Sequence, residues 1–288
     1  MEAKPVIGLL FPGDMGLAIG NVLLKNNFEV ITAGEGRSAK TMKNIENSQI
    51  KDVGSLENVM KECDIILSVN SPQNSIDIAE KVAHCIPDSQ KKYWYVDLNS
   101  NTPESALKIE KIMQAKNVSF INGAIMGVAK NVGNDAVMVL SGMERGFLTS
   151  LFDHIFKIKD AGEKIESASA YKLLFSMVNK GINAVFFEAM MGASHYGILE
   201  EMNESLKDFL PGTYLDLQKM TPTYPDHIAR RIDEMKGLSE MQQLDNLPNT
   251  ISLATAKTFE IIDKKGIFKN ETPKDVTETF LLFKNEDF

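Results

Sequence analysis

The chain has little cysteine, no long apolar run and no excess of basic charge. Its 288 residues include two cysteines and carry a formal net charge of −8. Cys63 and Cys85 form no C-x-x-C pair and have no histidine cluster beside them, which argues against a disulfide framework or a zinc site. Both thiols are predicted to be buried and unreactive. Because the basic residues are scattered, no electrostatic footprint for nucleic acid exists.

Membrane and targeting signals are also missing from the sequence. No run approaches the ~18 apolar residues that cross a bilayer, and the N-terminal residues lack the pattern of a signal peptide. We therefore expect a cytoplasmic protein without a membrane or nucleic-acid partner. Hydrophobic residues make up 43% and charged residues 24%, a balance typical of a globular protein, and the length suits two domains.

The first half of the chain alternates short β-type runs with helix-length segments. The runs are PVIGLL, FEVITA, CDIILSVN, KYWYVDLNS and VSFINGAI. They predict a Rossmann-type α/β domain with a doubly wound, mostly parallel sheet, and a ligand site in the loops at the carboxyl ends of its strands.

A different pattern follows in the second half. One apolar helix is predicted from Ser167 to Tyr196, and no strand signal comes after it. Because this helix is apolar on several faces, it is expected at an interface between domains or subunits. The predicted domains are residues 1–165, which bind a dinucleotide, and an all-helical substrate and dimerisation domain, residues 166–288.

The stretch VIGLLFPGDMGLAIG resembles a nucleotide-binding turn with one position changed. In the G-x-G-x-x-G fingerprint, the second glycine lets the backbone approach the pyrophosphate and the third allows the helix to pack on the strand. Gly13 and Gly16 occupy these positions, whereas Phe11 stands in place of the first glycine. Pro12 has no N–H, so one phosphate donor is absent. Ordinary α/β packing is the alternative interpretation of this turn.

The loop after the second strand favours NADP(H) over NAD(H). A carboxylate about 20 residues beyond the turn binds the ribose of NAD, while basic residues accommodate the 2′-phosphate of NADP. In TAGEGRSAK, Ala33 occupies the region of the acid, Glu35 is displaced into the loop, and Arg37, Ser38 and Lys40 offer charge and donors. A solvated charged loop is the alternative.

Five motifs together resemble the β-hydroxyacid dehydrogenases, which include 3-hydroxyisobutyrate dehydrogenase and 6-phosphogluconate dehydrogenase. They are IGLLFPGDMG, SVNSP, DLNSNTP, INGAIMG and SASAYK, and the resemblance spans nearly the whole chain. It is closest to a branch with a C-terminal domain like that of 6-phosphogluconate dehydrogenase. The resemblance implies a Rossmann domain, a long helix and a helical domain that builds homodimers or homotetramers.

The resemblance implies that Lys172 is the acid/base of the reaction. Ser176 stands where family members commonly have an asparagine, and Asn179 could substitute for it from the next turn. These three positions share one face of the long helix. Lys180 is a weaker rival because it lies at another angle on the helix.

The substrate loop departs from the pattern of better-known members. Asn122 replaces an aspartate and AIMG replaces a Ser-Gly-Gly run, although Gly123 and Gly127 could still turn backbone N–H groups toward an anion. Met126 in the serine position favours a bulkier or less charged substrate. In DHIARRIDEM, His227, Arg230 and Arg231 could meet an acidic substrate, or form surface salt bridges instead.

The sequence thus predicts an NADP(H)-dependent oxidoreductase that interconverts a small β-hydroxy acid or related alcohol with its carbonyl. A catalytically inactive nucleotide-binding or assembly protein, and an imine reductase, are the alternatives. No metal site is predicted. The predicted cofactor contacts are Phe11, Pro12, Gly13, Asp14, Met15, Gly16, Arg37, Ser38, Asn70, Ser71, Pro72 and Asn99. The predicted substrate contacts are Asn122, Gly123, Met126, Gly127 and Arg231.

Overall fold

The computed structural model describes residues 4–87, 91–269 and 271–284. The chain divides into two compact units, Met1–Leu173 and Leu174–Phe288, which we call the N-terminal and C-terminal units. The division falls inside the long helix, whereas the sequence places the domain boundary at residues 165 and 166, just before that helix begins at Ser167.

The N-terminal unit is built on one sheet of eight strands. These are β1 (Ile7–Leu10), β2 (Val30–Thr32), β3 (Lys51–Asp52), β4 (Ile65–Ser68), β5 (Trp94–Asp97), β6 (Ser119–Met126), β7 (Val137–Ser141) and β8 (Lys157–Asp160). Their order is β3-β2-β1-β4-β5-β6-β7-β8, and every pair is parallel except β6 with β7. The predicted doubly wound, mostly parallel sheet is confirmed.

Twelve α-helices occur in the described residues, beside three short 3₁₀ turns. The N-terminal unit contains α1 (Asp14–Lys25), α2 (Ala39–Glu46), α3 (Leu56–Glu62), α4 (Ser75–Cys85), α5 (Pro103–Gln114) and α6 (Arg145–Leu151). Helix α7 (Ser167–His195) crosses the division between the units. The C-terminal unit continues with α8 (Leu199–Phe209), α9 (Pro211–Met220), α10 (Tyr224–Leu244), α11 (Thr250–Lys265) and α12 (Val276–Leu281), and the described residues after Ser167 contain no strand.

Two apolar clusters cover the two faces of the sheet. Ile7 and Leu9 of β1 pack with helix α1 on one face, while Ile31 and Ile66 pack with α3, α4 and α5 on the other. Both faces of the parallel strands are therefore buried, as right-handed crossovers require. The prediction of two buried thiols is half wrong: Cys63 is buried, but Cys85 is partly exposed at the end of α4, next to the Glu57 carboxylate.

The C-terminal unit has its own aromatic core around Phe187. Its ring lies 4.9 Å from that of Tyr224 and 5.8 Å from that of Phe268, and Phe259 completes the group. Phe187 and Phe259 are fully buried. No helix within residues 4–87, 91–269 and 271–284 combines the length and apolarity needed to cross a bilayer.

The strand order reverses between β1 and β4. The chain runs outward from β1 to β2 and β3, then crosses back so that β4 pairs with the other side of β1. At such a switch point the loops after the two central strands diverge, which opens a crevice at the carboxyl ends of the strands. The loops beginning at Phe11 and Val69 flank this crevice.

Candidate active site

The turn between β1 and α1 presents backbone donors without a side-chain cap. Gly13 is the N-cap of α1, with φ −66° and ψ −171°, and no side chain accepts a hydrogen bond from the first turn. The N–H of Gly13 itself donates to the Phe11 carbonyl at 2.7 Å. The donors left for a ligand are therefore the N–H groups of Asp14, Met15 and Gly16, because the first N–H groups of a helix have no acceptor within it.

The glycines of this turn differ in what surrounds them. A Cβ added at Gly16 would lie 3.0 Å from the Phe11 carbonyl oxygen, so a side chain here would push the helix away from the turn. A Cβ added at Gly13 would meet nothing within 4 Å. Gly16 therefore serves the packing of helix on turn, while Gly13 leaves open space directly in front of the helix N-terminus.

The loop after β2 places one arginine beside the turn. The Arg37 guanidinium lies 3.7 Å from the centroid of the Phe11 ring, and its Nε donates to the Glu35 carbonyl at 3.2 Å. Ser38 is the N-cap of α2, where its Oγ accepts the Thr41 N–H at 3.2 Å. Lys40 forms an exposed ion pair with Asp14 at 3.0 Å. Of these two basic side chains, Arg37 borders the crevice and Lys40 does not.

A buried polar network joins the ends of β4 and β5. Asn99 donates from its backbone N–H and its side-chain amide to the Asp97 carboxylate, each at 2.9 Å, and from the same amide to Ser68 Oγ at 2.9 Å. Asn70 donates its backbone N–H to Asn99 Oδ1 and its side-chain amide to the Leu10 carbonyl at 2.8 Å. These bonds fix the loops that carry Asn70 and Asn99 against the end of β1.

Asp97 is the titratable group of that network. Burial raises the pKa of its carboxyl to about 7, although the hydrogen bonds from Asn99 oppose the shift. Folding therefore favours the protonated form. This contribution to stability is fully present below pH 4, near the carboxyl's unfolded pKa, and is lost as pH rises through 7.

We expect the free energy of unfolding to fall by about 2 to 4 kcal/mol between pH 5 and pH 8 because of Asp97, and Asp97→Asn to remove most of that fall. Urea unfolding of both proteins at the two pH values measures it. Subtracting the pH-dependent change in unfolding free energy of the variant from that of the wild type isolates Asp97 from the other titrating groups. Equal changes in the two proteins would show that the buried carboxyl does not titrate in this range.

Lys172 lies in the first turns of α7, within the N-terminal unit. Its Nζ donates to Ser100 Oγ at 2.6 Å and to the Ile125 carbonyl at 2.9 Å, and the side chain is half-buried. Ser100 has φ +60°, a conformation uncommon outside glycine, and follows directly after the Asn99 network. The ammonium is thus held by the loops after β5 and β6, at the carboxyl end of the sheet.

A cavity of about 550 Å³ connects these features within the N-terminal unit. Most of the predicted cofactor residues line it, together with the predicted catalytic lysine and one predicted substrate residue. They are Phe11, Gly13, Asp14, Met15, Gly16, Arg37, Ser38, Asn70, Ser71, Asn99, Gly127 and Lys172. The helix N-terminus, the arginine and the lysine therefore share one cavity, which is the candidate active site.

Several predicted contacts do not line this cavity. Pro12 is buried in the turn and Pro72 begins a 3₁₀ turn beyond Ser71. Asn122 is fully buried and donates to the Ile165 carbonyl at 2.8 Å and to Ser169 Oγ at 2.9 Å. The Asn122 amide holds the start of α7 against β6, and its predicted substrate contact stays a prediction.

Gly123 and Met126 do not line the cavity either. Gly123 lies inside β6, where it pairs with Leu140 of β7, and an added Cβ would lie 2.7 Å from Leu98 Cδ2, so it serves packing. Met126 ends the same strand, half-buried, without lining the cavity. Of the predicted substrate contacts, Gly127, with φ +131°, borders the cavity.

Three further predicted site residues lie in the C-terminal unit. Ser176 Oγ accepts a hydrogen bond from Lys180 Nζ at 3.0 Å, and Lys180 pairs with Glu234 at 2.8 Å. Asn179 is half-buried, and its carbonyl accepts the Asn183 amide at 2.8 Å. Neither residue lines the cavity around Lys172, so their predicted catalytic contacts remain predictions.

Arg231 is buried within the C-terminal unit. It is 4% exposed, its guanidinium lies 3.8 Å from the Tyr224 ring centroid, and it donates to Thr223 Oγ1 at 2.6 Å. Its predicted contact with an acidic substrate stays a prediction. No group of three His, Cys, Asp or Glu side chains in the described part of the chain could hold a metal ion.

Comparison with known families supports this interpretation of the site. Residues 6–159 match the NAD binding domain of 6-phosphogluconate dehydrogenase, which is more than half of the chain. The chain belongs to this family. Residues 193–262 match a domain of unknown function, DUF1932. The family assignment makes the N-terminal unit an NAD(P)-binding domain and confirms the resemblance inferred from the five motifs.

Two proteins of similar sequence extend beyond the N-terminal unit. An uncharacterised 28.5 kDa protein from Methanothermus fervidus, encoded in the 5′ region of 7S RNA, is 27% identical over 259 residues, which cover 90% of this chain and 99% of that protein. Glyoxylate/succinic semialdehyde reductase 1 from Arabidopsis thaliana is 23% identical over 219 residues, covering 75% of this chain and 72% of the relative.

Solved structures share the fold at lower identity. A conserved hypothetical protein from Sinorhizobium meliloti has a TM-score of 0.79, 18% identity and coverage of 98% and 96% of the two chains. Mycobacterium tuberculosis 3-hydroxyisobutyrate dehydrogenase has a TM-score of 0.75, 12% identity and coverage of 98% of each chain. An imine reductase from Myxococcus stipitatus, solved with NAD⁺, has a TM-score of 0.59, 17% identity and coverage of 98% and 99%.

The 6-phosphogluconate dehydrogenase family assignment does not by itself identify every residue around Lys172. Six cavity residues were missed from the sequence: Gly36, Thr41, Val69, Leu98, Ser100 and Ile125. Ser100 and Val69 directly adjoin residues that the motifs had singled out, so the neighbours of each strand-end motif were the available signal. Ile125 contacts Lys172 through its backbone carbonyl, and the identity of its side chain does not predict such a contact.

Proposed function

We propose that this protein is an NADP(H)-dependent oxidoreductase that interconverts a small β-hydroxy acid, or a related alcohol, with its carbonyl compound. One observation carries the proposal: Lys172 lines the same cavity as the uncapped N-terminus of α1. A dinucleotide site and a candidate proton donor thus lie side by side within one unit. When bound, the nicotinamide would accept or supply the hydride.

The cavity fits the phosphates of a dinucleotide. The N–H groups of Asp14, Met15 and Gly16 and the dipole of α1 favour an anion, and the open space at Gly13 leaves room for one. Arg37 would meet the 2′-phosphate. The end of β2 carries Ala33 and Gly34, and the Asp52 carboxylate beside them already accepts the Gly34 N–H at 2.8 Å, which disfavours ribose recognition by this acid.

Lys172 would move the proton of the reaction. A protonated ammonium can donate to the carbonyl oxygen during reduction, and the neutral amine can accept the hydroxyl proton during oxidation. Ser100 Oγ and the Ile125 carbonyl hold Nζ in place, which preserves its orientation between turnovers. The backbone N–H of Gly127 is the remaining candidate for contact with a substrate carboxylate.

The cofactor part is tested by calorimetric titration of NADPH and NADH into the intact protein. We expect NADPH to bind at least about tenfold more tightly, since a single charge-assisted contact to the 2′-phosphate is worth about 1.5–3 kcal/mol. Tighter binding of NADH would overturn the NADP(H) assignment. Binding of neither would remove the oxidoreductase proposal.

Turnover separates the chemical alternatives. The panel is 3-hydroxyisobutyrate, glyoxylate, succinic semialdehyde and a cyclic imine, chosen from the reactions named for the relatives and neighbouring structures. Conversion of the hydroxy acid or its carbonyl counterpart supports the proposal. Exclusive reduction of the imine would replace it with an imine reductase. Dinucleotide binding without turnover of any compound would favour an inactive binding protein.

We also propose a homodimer or homotetramer that assembles through the helical domain. Leu174, Phe175, Val178, Ile182 and Val185 are between 40% and 68% exposed in the single chain and fall on one face of α7. An exposed apolar stripe of this length is typical of a subunit interface. Light scattering of the intact protein is expected to give at least twice the chain mass of 32.0 kDa, and a monomer would contradict this proposal.

A further inference from the structure

Phe11, the residue of the turn that departs from the nucleotide-binding fingerprint, contacts Arg37. Phe11 stands where the fingerprint has its first glycine, and its ring faces the Arg37 guanidinium at 3.7 Å. Phe11 is half-buried and packs against the apolar cluster beneath α3 and α4, so one side of the ring is anchored in the core. A glycine at this position would offer no surface to the arginine.

This contact restricts an otherwise exposed side chain. Arg37 is exposed, and within the described residues it makes no ion pair. Its Nε donates to the Glu35 carbonyl, and one face of the guanidinium rests on Phe11. A flexible arginine must lose rotamer freedom when it binds a phosphate. An arginine already held by a backbone acceptor and an aromatic face loses less.

The pair lies where two cavities of the N-terminal unit meet. Phe11, Arg37 and Asn70 line both the candidate active site and a second cavity of about 810 Å³. The second cavity is lined by four carboxylates, Glu35, Glu57, Asp77 and Glu80. Its lysine and arginine side chains are Lys81 and Arg37. A phosphate would be repelled there unless Arg37 were held at its entrance.

We propose that Phe11 is the positioning residue that sets cofactor selectivity: its ring holds the Arg37 guanidinium where the 2′-phosphate of NADP(H) docks. The inference rests on the proposed NADP(H) dependence and deepens it. Pro12 has no N–H to offer the pyrophosphate. The Phe11–Arg37 contact then recovers binding affinity at the 2′-phosphate. Selectivity for the phosphorylated dinucleotide depends on an aromatic face at position 11.

The test compares Phe11→Leu with Phe11→Tyr by calorimetry. Leucine keeps an apolar side chain but removes the π face, whereas tyrosine keeps that face. We expect Phe11→Leu to weaken NADPH binding about twofold to fivefold more than it weakens NADH binding, the value of an exposed cation–π contact. Phe11→Tyr is expected to retain the wild-type ratio of the two affinities. Adenosine 2′,5′-bisphosphate against AMP should repeat this pattern with smaller probes.

A double-mutant cycle connects the effect to Arg37. In an Arg37→Ala background, Phe11→Leu should weaken NADPH binding no more than NADH binding, because the side chain that Phe11 positions is absent. Equal weakening of NADPH and NADH by Phe11→Leu would show a purely structural role, and no weakening of either would show no role. Both results overturn the inference while leaving the proposed function intact. Failure of the proposed function appears separately, in the dinucleotide titrations of the wild-type protein.

Discussion

Lys172→Ala is expected to lower kcat by about 10² to 10⁴-fold, the contribution that a positioned general acid or base makes. The fold should persist, because the lysine side chain is half-buried and its partners are a hydroxyl and a carbonyl that solvent can reach through the cavity. Affinity for NADPH should change little, since the phosphate donors lie on α1. Steady-state kinetics with the best substrate of the panel measures kcat.

Lys180 provides the matched control on the same helix. Burial lowers the pKa of Lys180, with Glu234 opposing the shift, and a perturbed lysine pKa often marks a catalytic group. Geometry points the other way, because Lys180 is enclosed with Ser176 and Glu234 in the C-terminal unit. We give more weight to the geometry, since a general acid must reach the reacting atom.

Lys180→Ala should therefore lower the free energy of unfolding, because it removes the ion pair that the buried lysine makes with Glu234 at 2.8 Å, and keep kcat per folded molecule. Lys172→Arg keeps the charge but cannot exchange the proton near neutral pH, so it should be nearly as slow as alanine. More than a tenth of wild-type kcat in Lys172→Ala would contradict the assignment. Loss of kcat in Lys180→Ala instead would transfer the role to the rival lysine.

The sequence predicted the parts of the site that depend on local pattern. The apolar strand runs, the glycines at positions 13 and 16, and the loop with Arg37 all lie within a few residues of a strand end, and parallel strands bring those ends to one edge. Lys172 came from the family resemblance alone. On helical periodicity it would be one solvated lysine among many.

The remaining features depend on contacts that no local pattern encodes. Strand β3 has two exposed residues and β8 has one apolar residue among three charged ones, so neither gives the signal of a buried strand. The substrate motif around Asn122 gives no signal that this side chain donates hydrogen bonds to Ile165 and Ser169, more than 40 residues away. The charge of Arg231 likewise gives no signal that the fold stacks it on Tyr224.

Gly13→Asp is expected to leave stability unchanged or slightly higher, while weakening both NADPH and NADH by at least about 100-fold. Gly13 has the extended backbone of an N-cap, and an added Cβ meets nothing within 4 Å, so the fold accepts the side chain. Its carboxylate would accept from the first N–H groups of α1, where aspartate is a preferred cap. Those are the donors that the pyrophosphate requires.

Two control substitutions distinguish the effect of occupying the N–H donors of α1 from the effect of adding a negative charge. Gly13→Asn caps the helix with a neutral side chain of the same shape, so it should cost about tenfold in affinity, through lost donors without repulsion. Gly146→Asp adds the same charge near the start of α6, at another exposed glycine with open space, and should leave binding unchanged. Thermal melts and calorimetric titrations measure stability and affinity on the same samples.

The argument for a site at this turn depends on stability and dinucleotide affinity responding differently to Gly13→Asp. A substitution that merely damaged the fold would lower both. A helix cap that competes with the ligand preserves stability and lowers affinity. The loss of affinity must also be equal for NADPH and NADH, because the two share the pyrophosphate and differ only at the 2′-position. Wild-type affinity in Gly13→Asp would place the pyrophosphate elsewhere, and the role of Lys172 beside it would lose its structural basis.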